Sequence, residues 1–120
     1  MIDHVSIRVR DRAESKRFYE TALAPLGIGV LHESPHVLGF GGRAGSLWIN
    51  EGEPTEALHI AFAAPDRATV DAFHAAATGA GYRDNGAPGE RPVYHPGYYG
   101  AFVLDPDGNN VEAVFHDRDR

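Results

Sequence analysis

The sequence predicts an α+β fold built from two βαβββ modules related by an approximate two-fold axis. Three observations lead there. A shift that carries His4 onto His59 also carries Asp11 onto Asp66, Arg12 onto Arg67, Ala13 onto Ala68, Phe18 onto Phe73 and Ala22 onto Ala77, so one register spans a strand, a helix cap and a helix. Each copy starts with a strand-like run and passes into an Asp-capped amphipathic helix. The chain then ends on two apolar runs, residues 101–104 and 111–115, joined by Asp105-Pro106-Asp107-Gly108, a turn-forming tetrad. The whole chain reads as one domain, with module 1 at about residues 1–52 and module 2 at about 57–116.

Within the first module, Val5, Ile7 and Val9 alternate with His4, Ser6 and Arg8, which makes a strand with one polar face. Asp11 stands three residues before Glu14, and Phe18, Tyr19, Ala22, Leu23 and Leu26 follow at helical spacing until Pro25-Leu26-Gly27 stops the helix. Residues 28–33, 36–41 and 45–50 are short apolar runs broken by Ser-Pro and Gly-Gly-Arg-Ala-Gly, and they predict three strands in a meander. In the last of them Leu47 and Ile49 share one face, Trp48 and Asn50 the other. Glu51 to Glu56 form an acidic connector. The second helix runs from Asp66 to about Ala80, where Gly79 and Gly81 end it. Residues 85–99, dense in Gly, Pro and aromatics, lengthen the second meander and are expected to form an ordered loop over a pocket.

Composition narrows the function. With 120 residues, 42% hydrophobic and 23% charged, the chain matches one globular domain, and no apolar run approaches a membrane span. The N-terminus lacks a basic-then-apolar signal pattern, so a cytoplasmic protein is expected. A net charge of -6 and a single lysine, Lys16, exclude a phosphate-tracking nucleic-acid surface and favour a small-molecule partner. Cysteine is absent, which removes disulfides, thiolate ligands and a Cys nucleophile. Any metal must be held by His and carboxylates.

The strand residues opposite the apolar faces supply such a set. His4 and His59 occupy matching positions, and Glu112, between Val111 and Ala113, projects away from the apolar face of the last strand. Two-fold symmetry is expected to bring the three together. Two imidazoles and a carboxylate leave open coordination positions, an arrangement suited to non-haem Fe(II) and also accessible to Mn, Zn or Ni.

The motifs His4-Val5-Ser6-Ile7-Arg8-Val9, Phe18-Tyr19, His59-Ile60-Ala61-Phe62-Ala63 and Leu104-Asp105-Pro106-Asp107-Gly108-Asn109-Asn110-Val111-Glu112 resemble those of the vicinal oxygen chelate superfamily. That group includes glyoxalases, extradiol dioxygenases, and fosfomycin- and bleomycin-resistance proteins. The resemblance covers essentially the whole chain. It implies that each module curls into half of a cupped mixed sheet, and that ligands come from the first and last strand of each module, here His4, Trp48, His59 and Glu112. Indole cannot ligate a metal, so Trp48 argues against a four-ligand glyoxalase site and leaves one divalent ion on His4, His59 and Glu112. Three-ligand sites are typical of extradiol dioxygenases and fosfomycin thiol transferases. Gly45-Ser46-Leu47-Trp48 and Ser6 resemble the latter, but residues 90–99 lack the Lys- and Ser-rich phosphonate loop. Val93 and His95 stand at the extradiol spacing before Asp105, Pro106, Gly108 and Glu112, whereas Phe102 replaces that signature's tyrosine.

The resemblance therefore implies a metal-dependent enzyme that chelates a small oxygen-rich substrate through two vicinal oxygens, with dioxygenase-like or glyoxalase-like lyase/isomerase chemistry. A non-catalytic drug- or metabolite-binding protein of the bleomycin-resistance type, and a fosfomycin-type thiol transferase, are the alternatives. His95 is the expected acid/base, with Tyr98 or Tyr99 replacing the missing hydroxyl and Tyr99 taken as catalytic. Ser6, Arg8, Trp48, Asn50, Tyr94, Tyr98 and Phe102 are expected to line the substrate pocket, and the protein to pair as a homodimer.

Overall fold

A computed structural model describes residues 1–118. Each module opens with a strand that carries one apolar face. Strand β1 (His4–Val9) buries Ile7 and Val9 and turns His4, Ser6 and Arg8 outward. Helix α1 (Arg12–Leu23) starts where the Asp11 carboxylate accepts the Glu14 backbone N–H at 3.2 Å, and it buries Phe18, Tyr19, Ala22 and Leu23. A short 3-10 turn, Ala24–Leu26, and Gly27 at φ 73° close it. Strands β2 (Val30–Glu33), β3 (Leu38–Gly42) and β4 (Gly45–Glu51) then form the meander. The sheet order is β1-β4-β3-β2, with β1 and β4 parallel and the other pairs antiparallel.

The second module repeats this design with β5 (His59–Ala63), α2 (Arg67–Gly79), β6 (Arg83–Glu90), β7 (Tyr98–Leu104) and β8 (Asn110–His116), in the order β5-β8-β7-β6. Asp66 caps α2 by accepting from Thr69 N at 2.8 Å. The predicted two-module α+β architecture is therefore the observed one. One stretch differs. Residues 85–90, expected in a loop, belong to β6, and the loop is confined to 91–97. Gly86, Pro88 and Gly89 disguise the strand, and they are tolerated because β6 is a sheet edge whose pairing with β7 shifts register twice.

The helices lie on the inner side of both sheets and share one core, in which Phe18 meets Tyr82 edge-on at 4.9 Å. A buried polar contact fixes the modules to each other. The Tyr19 hydroxyl, from α1, donates to Asp105 Oδ2 at 2.8 Å, while Oδ1 accepts the Asp107 and Asn109 N–H groups at 2.9 Å each. Burial pushes the Asp105 carboxyl up from its ordinary range, and its hydrogen bonds offset part of that rise. Asn109 in turn holds the connector, donating to Thr55 O at 2.7 Å and accepting from Leu58 N at 3.0 Å.

This packing leaves the outer face of each sheet uncovered and makes β1 and β5 edge strands. A cleft of about 680 Å³ runs beside them, lined by His4, Val5, Ile28, His59, Ile60 and Phe62 among others. Among the described residues no helix is long and apolar enough to cross a membrane.

Replacing Tyr19 with Phe removes one partner of a buried carboxylate, and denaturant unfolding is expected to show a loss of about 1–3 kcal/mol. The Asp66 cap gives a pH-dependent test. Its side-chain and backbone hydrogen bonds to Thr69 lower its pKa from 3.8, so its contribution is present above that value and disappears as pH falls through the lower folded-state pKa. The melting-temperature gap between the native chain and Asp66→Ala should be open at neutral pH and close in strong acid.

Candidate functional site

Strand alternation in β8 puts Val111 and Ala113 into the core and turns Glu112 to the outer face. Glu112 is nevertheless completely buried, because neighbours on that face cover it. His59 Nε2, on the adjoining β5, lies 2.7 Å from Oε1, and the Tyr98 hydroxyl donates to Oε2. Gly100 makes room, since a Cβ there would stand 2.9 Å from Oε2. Desolvation, then the hydrogen bond to Glu112, pushes the Tyr98 phenol well up, so it stays a proton donor throughout the physiological range. No lysine or arginine pairs with Glu112 among the described residues. An ionised carboxylate so placed needs a counter-charge, and the half-exposed His59 ring is the adjacent protein group able to carry one.

Around this pair, Phe102 is directly opposite Glu112 in the β7–β8 register and 6.1 Å from the His59 ring, with the Arg91 guanidinium 5.4 Å above its outer side. Tyr94 is exposed and contacts the Tyr98 ring at 4.8 Å. His95 meets the edge of the Tyr98 ring at 5.5 Å but makes no hydrogen bond to Glu112. Its Nδ1–H donates to Pro96 O at 2.7 Å, which leaves Nε2 as acceptor for His116 Nδ1–H at 2.8 Å. His116 has its pKa lowered by burial first, then by Arg118 and His95. His95 thus approaches the carboxylate through Tyr98.

Two expectations are corrected. Tyr99, taken as catalytic, lies on the opposite face of β7: its hydroxyl donates to Asp71 on α2 at 2.6 Å and Arg67 covers its ring at 4.7 Å. Alternation gives Tyr98 and Tyr99 opposite faces, and the hydroxyl at Glu112 is that of Tyr98. The convergence of His4 with His59 and Glu112 is also absent from the single chain. His4 lines the same cleft as His59, but its Nδ1 is 2.7 Å from Asp3 Oδ1, and no three His, Cys, Asp or Glu side chains among the described residues form a metal-holding group. The physical reason is the shared helical core, which holds His4 and His59 on separate sheets.

The registers identify the equivalent place in module 1. His4 pairs with Ser46 and Ser6 with Trp48, just as His59 pairs with Asn110 and Ala61 with Glu112. Trp48 therefore stands where module 2 has Glu112, and Gly39, its β3 partner, stands where module 2 has Phe102. The indole lies against Gly39, where a Cβ would come within 2.6 Å of the ring, and Nε1 donates to Ser46 Oγ at 2.9 Å. Arg8 and Ser6 share this face, and Asn50 directs its amide nitrogen to the carbonyls of Ile49 and His36 at 3.2 and 3.0 Å. Sequence reading named Trp48 but missed Gly39 and Gly100, whose role is empty space. It grouped Tyr98 with the pocket without assigning it to Glu112, although parity counted back from Ala101 and Val103 carries that information.

The comparisons with known proteins agree with this architecture. A glyoxalase/bleomycin resistance protein from Albidiferax ferrireducens T118 superposes with TM-score 0.82 at 32% identity over 96% of this chain and 98% of its own. A glyoxalase/bleomycin resistance protein/dioxygenase family enzyme from Burkholderia phytofirmans PsJN gives TM-score 0.75 at 22% identity, covering 95% and 97%. Lactoylglutathione lyase from Agrobacterium tumefaciens gives 0.72 at 19%, covering 96% and 92%, which speaks to fold alone. No curated protein sequence matches. The family model for the Glyoxalase/Bleomycin resistance protein/Dioxygenase superfamily matches residues 1–113, and with a repeated βαβββ unit carrying His59 and Glu112 on adjoining strands, the chain belongs to that superfamily.

Proposed function

We propose that the protein is a metal-dependent enzyme acting on a small oxygen-rich substrate, with dioxygenase-like or lyase/isomerase chemistry, and that it works as a homodimer. The observation that carries this reading is Glu112: a fully buried carboxylate, held by Tyr98 on one oxygen and placed 2.7 Å from an imidazole nitrogen on the other, without a lysine or arginine partner among the described residues. Burying such a group is costly, and a bound cation is one way to compensate it. The donor types, one imidazole nitrogen and one carboxylate oxygen, suit a borderline divalent ion. His4 is the third ligand in this proposal, supplied by a second copy. The β1 and β5 edges, of which β1 is capped by Thr55 at Arg8, and the apolar side chains in the cleft beside them favour such pairing. A bound divalent ion would supply Lewis-acid polarisation of the substrate oxygens.

The chain's own contribution is to orient and to exclude. Tyr98 fixes the Glu112 carboxylate and keeps its proton, Phe102 packs beside the pair, and Gly100 lets the carboxylate sit against the sheet. His95 and His116 form a hydrogen-bonded pair at the rim, where they can pass a proton to or from solvent.

Metal analysis of protein purified without chelator tests this reading. The native chain should retain a divalent ion, Glu112→Gln or His59→Ala should abolish stoichiometric retention, and Tyr98→Phe should weaken metal affinity by about 10–100-fold. Oxygen uptake with catechols then separates redox from non-redox chemistry. Native protein that carries no metal and binds none on titration would favour the alternative of a sequestering protein.

Subunit mixing tests the shared ligand set. His4→Ala and His59→Ala homodimers should each fail to retain metal, whereas mixed and re-annealed protein should recover about a quarter of the native sites, because half the dimers are mixed and each has one intact site. Zero recovery from a verified mixed dimer would reject a ligand supplied in trans.

A further inference from the structure

Beside Glu112, module 2 carries a cation that the metal reading leaves unused. Arg91 follows the last residue of β6, and its backbone N–H donates to Tyr98 O at 2.8 Å, one step beyond the Glu90–Tyr99 pair of the β6–β7 ladder. Its side chain therefore shares the outer face with Tyr98. Nη2 donates to Ala87 O at 2.8 Å, Nη1 donates weakly to Glu90 O at 3.5 Å, and Cζ stands 5.4 Å from the centre of the Phe102 ring. Two glycines make this seat, since a Cβ at Gly89 would come within 3.1 Å of Nη1 and one at Gly86 within 3.4 Å of Nη2. Each of these nitrogens keeps a second N–H, and Nε has its own. Arg91 is partly exposed and pairs with no carboxylate among the described residues, in a chain of net charge -6.

The guanidinium and the candidate site are within reach of one small molecule. Gly89 and Gly100 are direct cross-strand partners, and a Cβ at Gly100 would stand 2.9 Å from Glu112 Oε2, so the two charged groups lean over one bare strip of sheet. Opposed Cβ positions are about 5 Å apart, which puts Arg91 Nη1 and Glu112 Oε2 no more than about 11 Å from each other. The half-exposed His59 ring flanks the same Phe102 ring at 6.1 Å. At the Tyr98 hydroxyl, burial and Glu112 raise the phenol pKa, and the Arg91 charge opposes them.

We infer that Arg91 is the specificity-determining residue of this site and that the substrate is a short-chain carboxylate, its carboxylate on Arg91 and its other oxygens toward His59 and Glu112. A guanidinium matches a carboxylate with parallel N–H donors, and one positive charge beside Glu112 suits a monoanion better than a doubly charged phosphonate. Contacts of about 3 Å at either end of the gap leave about 5 Å for the ligand itself, a chain of about three to five carbons. The inference names the substrate class of the enzyme proposed above and rests on that reading for the part played by His59 and Glu112. Pairing of a carboxylate with Arg91 needs no metal.

The test uses chelator-treated full-length protein and butyrate as the probe at constant ionic strength, so that failure of the metal reading leaves the result untouched. NMR follows the Arg91 Nε–H and the backbone N–H groups of Gly89 and Gly100. Butyrate should shift these signals saturably in the millimolar range and bind about tenfold more tightly than butyramide, its uncharged counterpart. Removing the opposing charge in Glu112→Gln should tighten butyrate further. Arg91→Gln should reduce butyrate affinity to that of butyramide. Gly89→Ala keeps the charge but shifts its seat, and should also weaken butyrate, whereas Arg83→Gln, at an exposed arginine elsewhere on β6, should leave it unchanged. Absence of a shift at about 100 mM butyrate, equal binding of butyramide, tighter binding of methylphosphonate, or full butyrate affinity in Arg91→Gln overturns the inference.

Discussion

Much of this molecule depends on what the Asp105 carboxylate holds. One oxygen closes the turn between β7 and β8 through two backbone N–H groups, and the other takes the phenol of Tyr19 from the first module's helix. Through Asn109 the same turn secures the connector at Thr55 and Leu58, which sets where β5 begins. The position of His59 beside Glu112 follows from that start, because β5 pairs with β8 from residue 59 against 110 onward. A carboxylate this buried is costly without partners, and three N–H or O–H donors satisfy it here.

The two modules show how one backbone plan supports two chemistries. At equivalent places module 2 has Glu112 beside Phe102, and module 1 has Trp48 beside Gly39. Bulk has changed strands. In module 2 the large ring packs beside a carboxylate; in module 1 the missing side chain lets the large ring lie flat. Neither residue of either pair can be exchanged alone without a clash or a void.

Strands, caps and the repeat were legible because they depend on local periodicity: the Asp11 and Asp66 caps, the outward Glu112 and the outward Trp48 all follow from alternation and spacing. Residues 85–90 were not legible, since their Gly and Pro content signals a loop, and only pairing with β7 makes them a strand. The missing strand hid the extent of β7 as well, so Tyr99 was placed near the pocket when it faces α2. Convergence of His4 with His59 failed as a single-chain expectation for another reason. Sequence symmetry fixes equivalent positions within modules, but the way the modules pack is decided by long-range contacts such as Tyr19 with Asp105, which leave no periodic trace.

The irregular β6 strand limits how another chain could add to this sheet. Four strands lie at sheet edges: β1, β2, β5 and β6. At β6, Pro88 lacks a backbone donor and two register breaks distort the hydrogen-bonding row, while β2 spans four residues and has a break of its own. By contrast, β1 and β5 run in unbroken register with their neighbours. The outer rims are poor templates for another chain, so edge-to-edge growth into open fibrils is discouraged at the same places where a closed two-fold contact would leave the sheets ending.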